Sequence, residues 1–161
     1  MFAEIEKAEN GCTAIFKRLL PHTVQEVWAA LTENDKLVKW FSNLQVTDLR
    51  KDGTIKFHMN DGSGKSIDMR ITDYEKGSVL EYEWGEGSVR FELSPQSEEC
   101  LLVLSDIFPT TTDHTAKDIA GWHICLDVFT ALLDGVSMEF PMEEWQKVYE
   151  QYKVEVDRVK I

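Results

Sequence analysis

The residues able to do chemistry are few and dispersed. His22, His58, His114 and His123 have no spacing that would bring two of them onto one metal ion, so no metal site is expected. Cys12, Cys100 and Cys125 are odd in number, far apart and without a CxxC pair, which indicates neither a zinc site nor a disulfide framework. Covalent catalysis needs a nucleophile held beside a base, and acid–base catalysis needs carboxyls in separated environments; neither grouping is visible at readable spacing. The glycines of Asp61-Gly62-Ser63-Gly64 lack the strand-to-helix context and the Lys-Ser/Thr unit of a phosphate loop, and read as a hairpin turn. No catalytic residue and no cofactor are therefore expected. Asp106 ends an apolar strand, and Arg18 and Arg90 lie within strands; any of them, facing inward, must pair or meet a polar ligand group. His123 stands beside an apolar helical stripe, where it is either a satisfied side chain or a donor to a ligand.

Composition narrows the partners. The 161 residues carry a formal net charge of −12 and a pI near 4.7. That field repels phosphate backbones, so nucleic acid is not an expected partner. The longest basic cluster is Arg50-Lys51, and the acidic residues are scattered as on a solvated surface. No basic-then-apolar leader opens the sequence and no window approaches a membrane span, which predicts a cytoplasmic protein. Hydrophobic residues make up 43% and aromatic residues 11%, with five Trp and eight Phe, enough rings to fill a large core or line a cavity.

The elements that must position these side chains read as one α+β domain over residues 1–161. Cys12 to Leu20 reads as a strand ended by Pro21. Thr23 is an N-cap with Glu26 three residues on, and Val24, Val27, Trp28 and Leu31 recur at helical spacing. A second start at Thr32 to Asp35 carries Leu37, Val38, Trp40 and Phe41, giving two short helices.

From Leu44 to Ile107 the period becomes two. Ile55, Phe57 and Met59 share a face, as do Ile67, Met69 and Ile71, then Leu80, Tyr82 and Trp84, then Val89, Phe91 and Leu93, with an apolar last strand from Cys100 to Ile107. Short turns between them imply an antiparallel meander with one face covered. The cover is a helix from about Thr115 to Leu133, with Ile119, Trp122, Leu126, Phe129 and Leu133 as its stripe and Gly135 as its stop. After Phe140-Pro141 a further helix carries Trp145, Val148, Tyr149, Tyr152 and Val156, and either extends the first or returns across the sheet. A twisted sheet of about six or seven strands curls, and a helix in its concave face leaves a space between them.

The stretch Pro21-His22-Thr23-Val24-Gln25-Glu26-Val27-Trp28-Ala29-Ala30-Leu31-Thr32, followed by Lys39-Trp40-Phe41, resembles the opening signature of the SRPBCC (START-like, helix-grip) superfamily. Gly121-Trp122-His123-Ile124-Cys125-Leu126-Asp127, ending at Leu133-Asp134-Gly135, resembles its long-helix signature. The branch it resembles is the C-terminal domain of the heat-shock-protein-90 ATPase activators. That resemblance implies a curved sheet around a long C-terminal helix. It also implies a deep cavity between them, which members use for lipids, hormones, polyketide-like aromatics or partner chaperones. This sequence lacks the activators' separate N-terminal domain, which weighs against co-chaperone activity.

The leading expectation is a protein binding a small hydrophobic or aromatic ligand, with cavity candidates Trp40, Phe41, Phe57, Met69, Tyr82, Trp84, Phe91, Asp106, Trp122, His123, Leu126 and Phe129. Each of these also has a plain reading as core packing. A chaperone-interaction module and a cyclase-like enzyme are the alternatives, and a monomer or weak homodimer is expected.

Overall fold

The structure is a computed structural model describing residues 2–159. Its elements run β1 (Glu4–Lys7), β2 (Cys12–Leu20), α1 (Val24–Thr32), α2 (Asn34–Trp40), β3 (Leu44–Asp48), β4 (Thr54–His58), β5 (Ser66–Glu75), β6 (Val79–Trp84), β7 (Gly87–Gln96), β8 (Glu99–Phe108), α3 (Thr115–Leu133) and α4 (Met142–Val159). The strands form one antiparallel sheet in the order β1-β2-β8-β7-β6-β5-β4-β3. The expected α+β helix-grip architecture is present, with eight strands in place of six or seven. The two extra strands, β1 and β3, are the edges of the sheet and only four and five residues long. Their brevity leaves little alternation to read, and it also limits edge-to-edge pairing with other chains.

Alternation decides which side chains point into the concavity. On β8, Cys100, Leu102, Leu104 and Asp106 are buried; on β7, Val89, Phe91 and Leu93; on β2, Cys12, Ala14, Phe16 and Leu20. Register shifts between Val46 and Asp48 and between Ile71 and Asp73 mark local irregularities, devices that bend a strand and increase twist. Gly87 starts β7 so close to β8 that an added Cβ would stand 1.8 Å from the Ile107 carbonyl oxygen. Any side chain there would push β7 and β8 apart. Met59, grouped above with Ile55 and Phe57, falls beyond the end of β4 and is 42% exposed.

The helices seat on this surface through local signals. The Thr23 hydroxyl accepts from the Glu26 amide and starts α1. The Trp40 indole N–H donates to the Ala30 carbonyl at 2.8 Å, tying α2 to α1. Helix α3 ends in a Schellman motif: Val136 N–H donates to the Ala131 carbonyl and Gly135 N–H to the Leu132 carbonyl, with Gly135 at φ +78°. The stripe Ile119, Trp122, Leu126 and Phe129 is buried, and so are Ala120, His123, Ile124 and Val128 around the helix. Helix α4 explains that second buried face. It neither extends α3 nor crosses the sheet, but packs Val148, Tyr152 and Val156 onto α3 and reaches β1.

Candidate functional site

Interior volume under α3 is largely filled. Tyr82 and Phe91 stack at 6.2 Å, Phe91 meets Trp122 edge-on at 5.9 Å, and Phe129 meets Trp40 at 5.0 Å. The expected deep cavity is thus occupied by rings. What opens is a solvent-accessible recess of about 380 Å³ between the end of α2, β6 and α3, lined by Trp40, Phe41, Trp84, Asp118, Trp122 and Cys125, with Gly121 in its wall and Phe140 at its edge. A second recess of about 340 Å³ adjoins it through Trp84 and takes in Phe57 and Met69.

The aromatic wall is continuous. Trp84 and Trp122 are 5.0 Å apart, Phe41 and Trp122 5.4 Å, and Phe41 and Trp84 5.8 Å. Gly121 contributes an absence: a Cβ there would meet nothing within 4 Å. A glycine inside a helix costs about 1 kcal/mol relative to alanine. Here the omitted side chain leaves the recess open.

Polar chemistry enters through two carboxyls. Asp118 lies in the first turn of α3, where the helix N-terminus favours an anion. It accepts from the Trp84 indole N–H at 3.2 and 3.1 Å. Asp106 on β8 is 1% exposed, and neither of its oxygens meets a donor from another kind of side chain or from the backbone. Its polar neighbour is Asp118, so the two hydrogen-bond only when one carries a proton. Burial first, and then the charge of Asp118, hold Asp106 well above the ordinary carboxyl range. Burial raises Asp118 to about 6, while the hydrogen bonds from Trp84 and Asp106 pull it back. The proton therefore rests on Asp106, which donates to an Asp118 carboxylate facing the recess. Burial also lifts the Cys125 thiol to about 12, so it is no nucleophile here. The Trp122 indole N–H is buried without an acceptor.

The structure separates the residues singled out from the sequence. Trp40, Phe41, Trp84 and Trp122 line the first recess; Phe57 and Met69 line the second. Tyr82, Phe91, Leu126 and Phe129 are packed core beneath them and line neither recess. Asp106 stands behind Asp118, one layer from the lining. His123 lies on the opposite side of α3, its Nδ1 2.7 Å from the Tyr152 hydroxyl and its ring against Phe2 and Phe16. Burial and nearby Arg18 lower its pKa to about 4, a neutral ring that shares a hydrogen bond with Tyr152 and lies away from this recess. Arg90 points out of the concavity, bonded to Asp73 at 2.8 Å and Glu81 at 3.2 Å. Arg18 follows Ala14 and Phe16 on the inward register of β2, at its half-buried end near Asp127 and Tyr152. Among the described residues no three His, Cys, Asp or Glu side chains are grouped to hold a metal ion.

Asp118 was the residue missed. Asp118, Gly121, Trp122 and Cys125 fall at i, i+3, i+4 and i+7, so one carboxylate shares the face of a buried tryptophan, a signal present in the sequence. The orientation of Asp106 was equally readable, since it continues the alternation Cys100, Leu102, Leu104.

A curved antiparallel sheet gripping one long helix, with an aromatic recess at its mouth, defines a START-like helix-grip domain. Residues 21–134 match the family described as Activator of Hsp90 ATPase homolog 1-like protein, and the chain belongs to that family, within the SRPBCC superfamily. A conserved protein of unknown function from Enterococcus faecalis is similar over 99% of this chain and 92% of its own, at 26% identity and a TM-score of 0.88. CalU16 from Micromonospora echinospora shares the fold at 20% identity and a TM-score of 0.77, covering 96% of each chain. The Aha1 dimer from Colwellia psychrerythraea aligns with 78% of this chain and 96% of its own, at 20% identity and a TM-score of 0.61. No curated protein matches the sequence. No described helix is long and apolar enough to cross a membrane.

Proposed function

We propose that the protein binds a small aromatic or hydrophobic ligand in the recess between α2, β6 and α3. The supporting observation is the wall of Trp40, Phe41, Trp84 and Trp122 around about 380 Å³, with a single charged side chain in it. Rings at 5.0–6.5 Å from one another offer a flat ligand both stacking and edge contacts. Titration with a panel of neutral two- and three-ring aromatics should quench tryptophan fluorescence saturably and raise the melting temperature by about 2–5 °C at excess ligand. Gly121→Leu should fold, because its side chain enters open space, and should abolish both effects. If no member of the panel shifts melting, or Gly121→Leu leaves binding intact, the reading fails.

A second reading, proton transfer to or from the bound ligand, is supported by an Asp118 carboxylate in the lining with a protonated Asp106 behind it. It predicts turnover of a bound ligand that Asp118→Asn eliminates while binding persists. The family description supports a chaperone-interaction reading; a stoichiometric protein partner in native pull-downs, unaffected by Gly121→Leu, would favour it over ligand binding.

A further inference from the structure

The recess has an unbalanced charge. Its lining includes no Lys, Arg or His, and Asp118 is its one ionisable carboxyl. Asp106 and Asp118 have no cationic partner among the described residues, although buried carboxyls are ordinarily paired with a cation or a metal. In contrast, Arg90 on the outer face of the sheet gathers Asp73, Glu81 and Glu92. The counter-charge is missing at the place where the protein also presents five aromatic rings. Among aromatic side chains the indole face attracts an organic cation most strongly, and three indoles line this recess. Trp122, 2% exposed, belongs to the same wall.

We propose that the recess selects a ligand bearing an ammonium group on an aromatic body, the ammonium lying against Asp118 and the body among Trp40, Phe41, Trp84 and Trp122. This rests on the reading of the recess as a ligand site and adds the charge of the ligand to it. The ammonium supplies the positive charge that the neutral donors of Asp118, the Trp84 indole and the Asp106 carboxyl, do not, and so neutralises the one negative charge in the lining of the recess. The same arrangement rejects carboxylates and phosphates, which would meet Asp118 without a compensating cation. The net charge of −12 works in the same direction, concentrating cations near the surface.

Three ligands of one shape separate charge from shape: tryptamine, indole-3-ethanol and indole-3-acetate, titrated calorimetrically into the full chain at pH 7.5 and low salt. Tryptamine is expected to bind about tenfold more tightly than the alcohol, with no measurable binding of the acetate. Asp118→Asn should bring amine and alcohol to equal affinity, with its fold checked by thermal melting. If the alcohol or the acetate binds as well as the amine, cation selection is overturned while the aromatic site stands. If none of the three binds, both fall. If Asp118→Asn keeps the preference for the amine, the assignment of the charge to Asp118 is wrong.

Discussion

Asp106 carries a cost that a neutral residue of the same shape would not. Burial and the adjacent Asp118 hold its pKa above the unfolded value, so the folded state binds protons that the unfolded state has released. For a carboxyl raised in this way the destabilisation is fully present above the folded pKa and is relieved as pH falls toward the unfolded one. Asn cannot ionise, and its amide can donate to the Asp118 carboxylate as the protonated acid does. Asp106→Asn is therefore expected to be more stable than the parent at pH 8, by about 1–3 kcal/mol, with the gap closing toward pH 5. Thermal melts at the two pH values read this directly. A variant less stable at pH 8, with a difference that does not change with pH, would show that Asp106 is paired in a way the geometry does not contain.

At the scale of elements, one hydroxyl joins three of them. The Ala3 N–H donates to the Tyr152 hydroxyl at 2.8 Å, and that hydroxyl lies 2.7 Å from His123 Nδ1, linking the chain entering β1 to α4 and α3. Tyr152→Phe keeps the ring contacts with Phe16 and His123 but leaves a buried ring nitrogen unpaired, a loss of about 1–3 kcal/mol. The urea midpoint should fall with an unchanged slope, and the loss should shrink in a His123→Leu background; equal losses in both backgrounds would rule out the bridge. This junction was not legible in the sequence, because the α4 stripe of Val148, Tyr152 and Val156 names a buried face without naming what it meets. Helices α1 and α3 were legible, since Thr23, Glu26 and Gly135 supply local stop and start chemistry. Strand β1, Glu-Ile-Glu-Lys, offers one apolar residue and so carries almost no period. At the site, Trp40, Phe41, Trp84 and Trp122 were legible as rings facing a shared space. Whether core or recess claimed each ring depended on how far α3 sinks into the sheet, a packing outcome that no residue spacing encodes.

For the whole molecule, pH sums these local imbalances with opposite signs. Asp118, at about 6 in the folded state, and Asp106, raised well above its ordinary value, both favour folding as pH falls. His22, held between Asp134 at 2.7 Å and Glu26 at 3.1 Å, has a raised pKa, so its contribution is present below the unfolded value and lost as pH rises through the folded one. His123, lowered to about 4, acts against them: below about 6.5 the unfolded chain takes a proton that the folded ring refuses. Between roughly pH 4 and 6 the folded protein thus holds extra carboxyl protons on Asp106 and Asp118, with Asp127, raised by burial, acting in the same direction, and forgoes one on His123, and the balance favours the folded state as acid is added. The surface charge of −12 also falls over this range, which reduces self-repulsion. Below about pH 4 the trend reverses, as Asp73, held under the usual carboxylate range by Arg90, is protonated and its pairing is lost. The melting temperature should accordingly rise by about 5 °C or more from pH 8 to pH 5.5. Because the pI is near 4.7, the measurement needs dilute protein near the expected maximum, where solubility is lowest. Repeating it in about 0.5 M salt screens the surface term and leaves the buried pair. The slope should survive in high salt and flatten in Asp106→Asn; a slope that vanishes in salt would place the effect on the surface and remove the buried pair from the account.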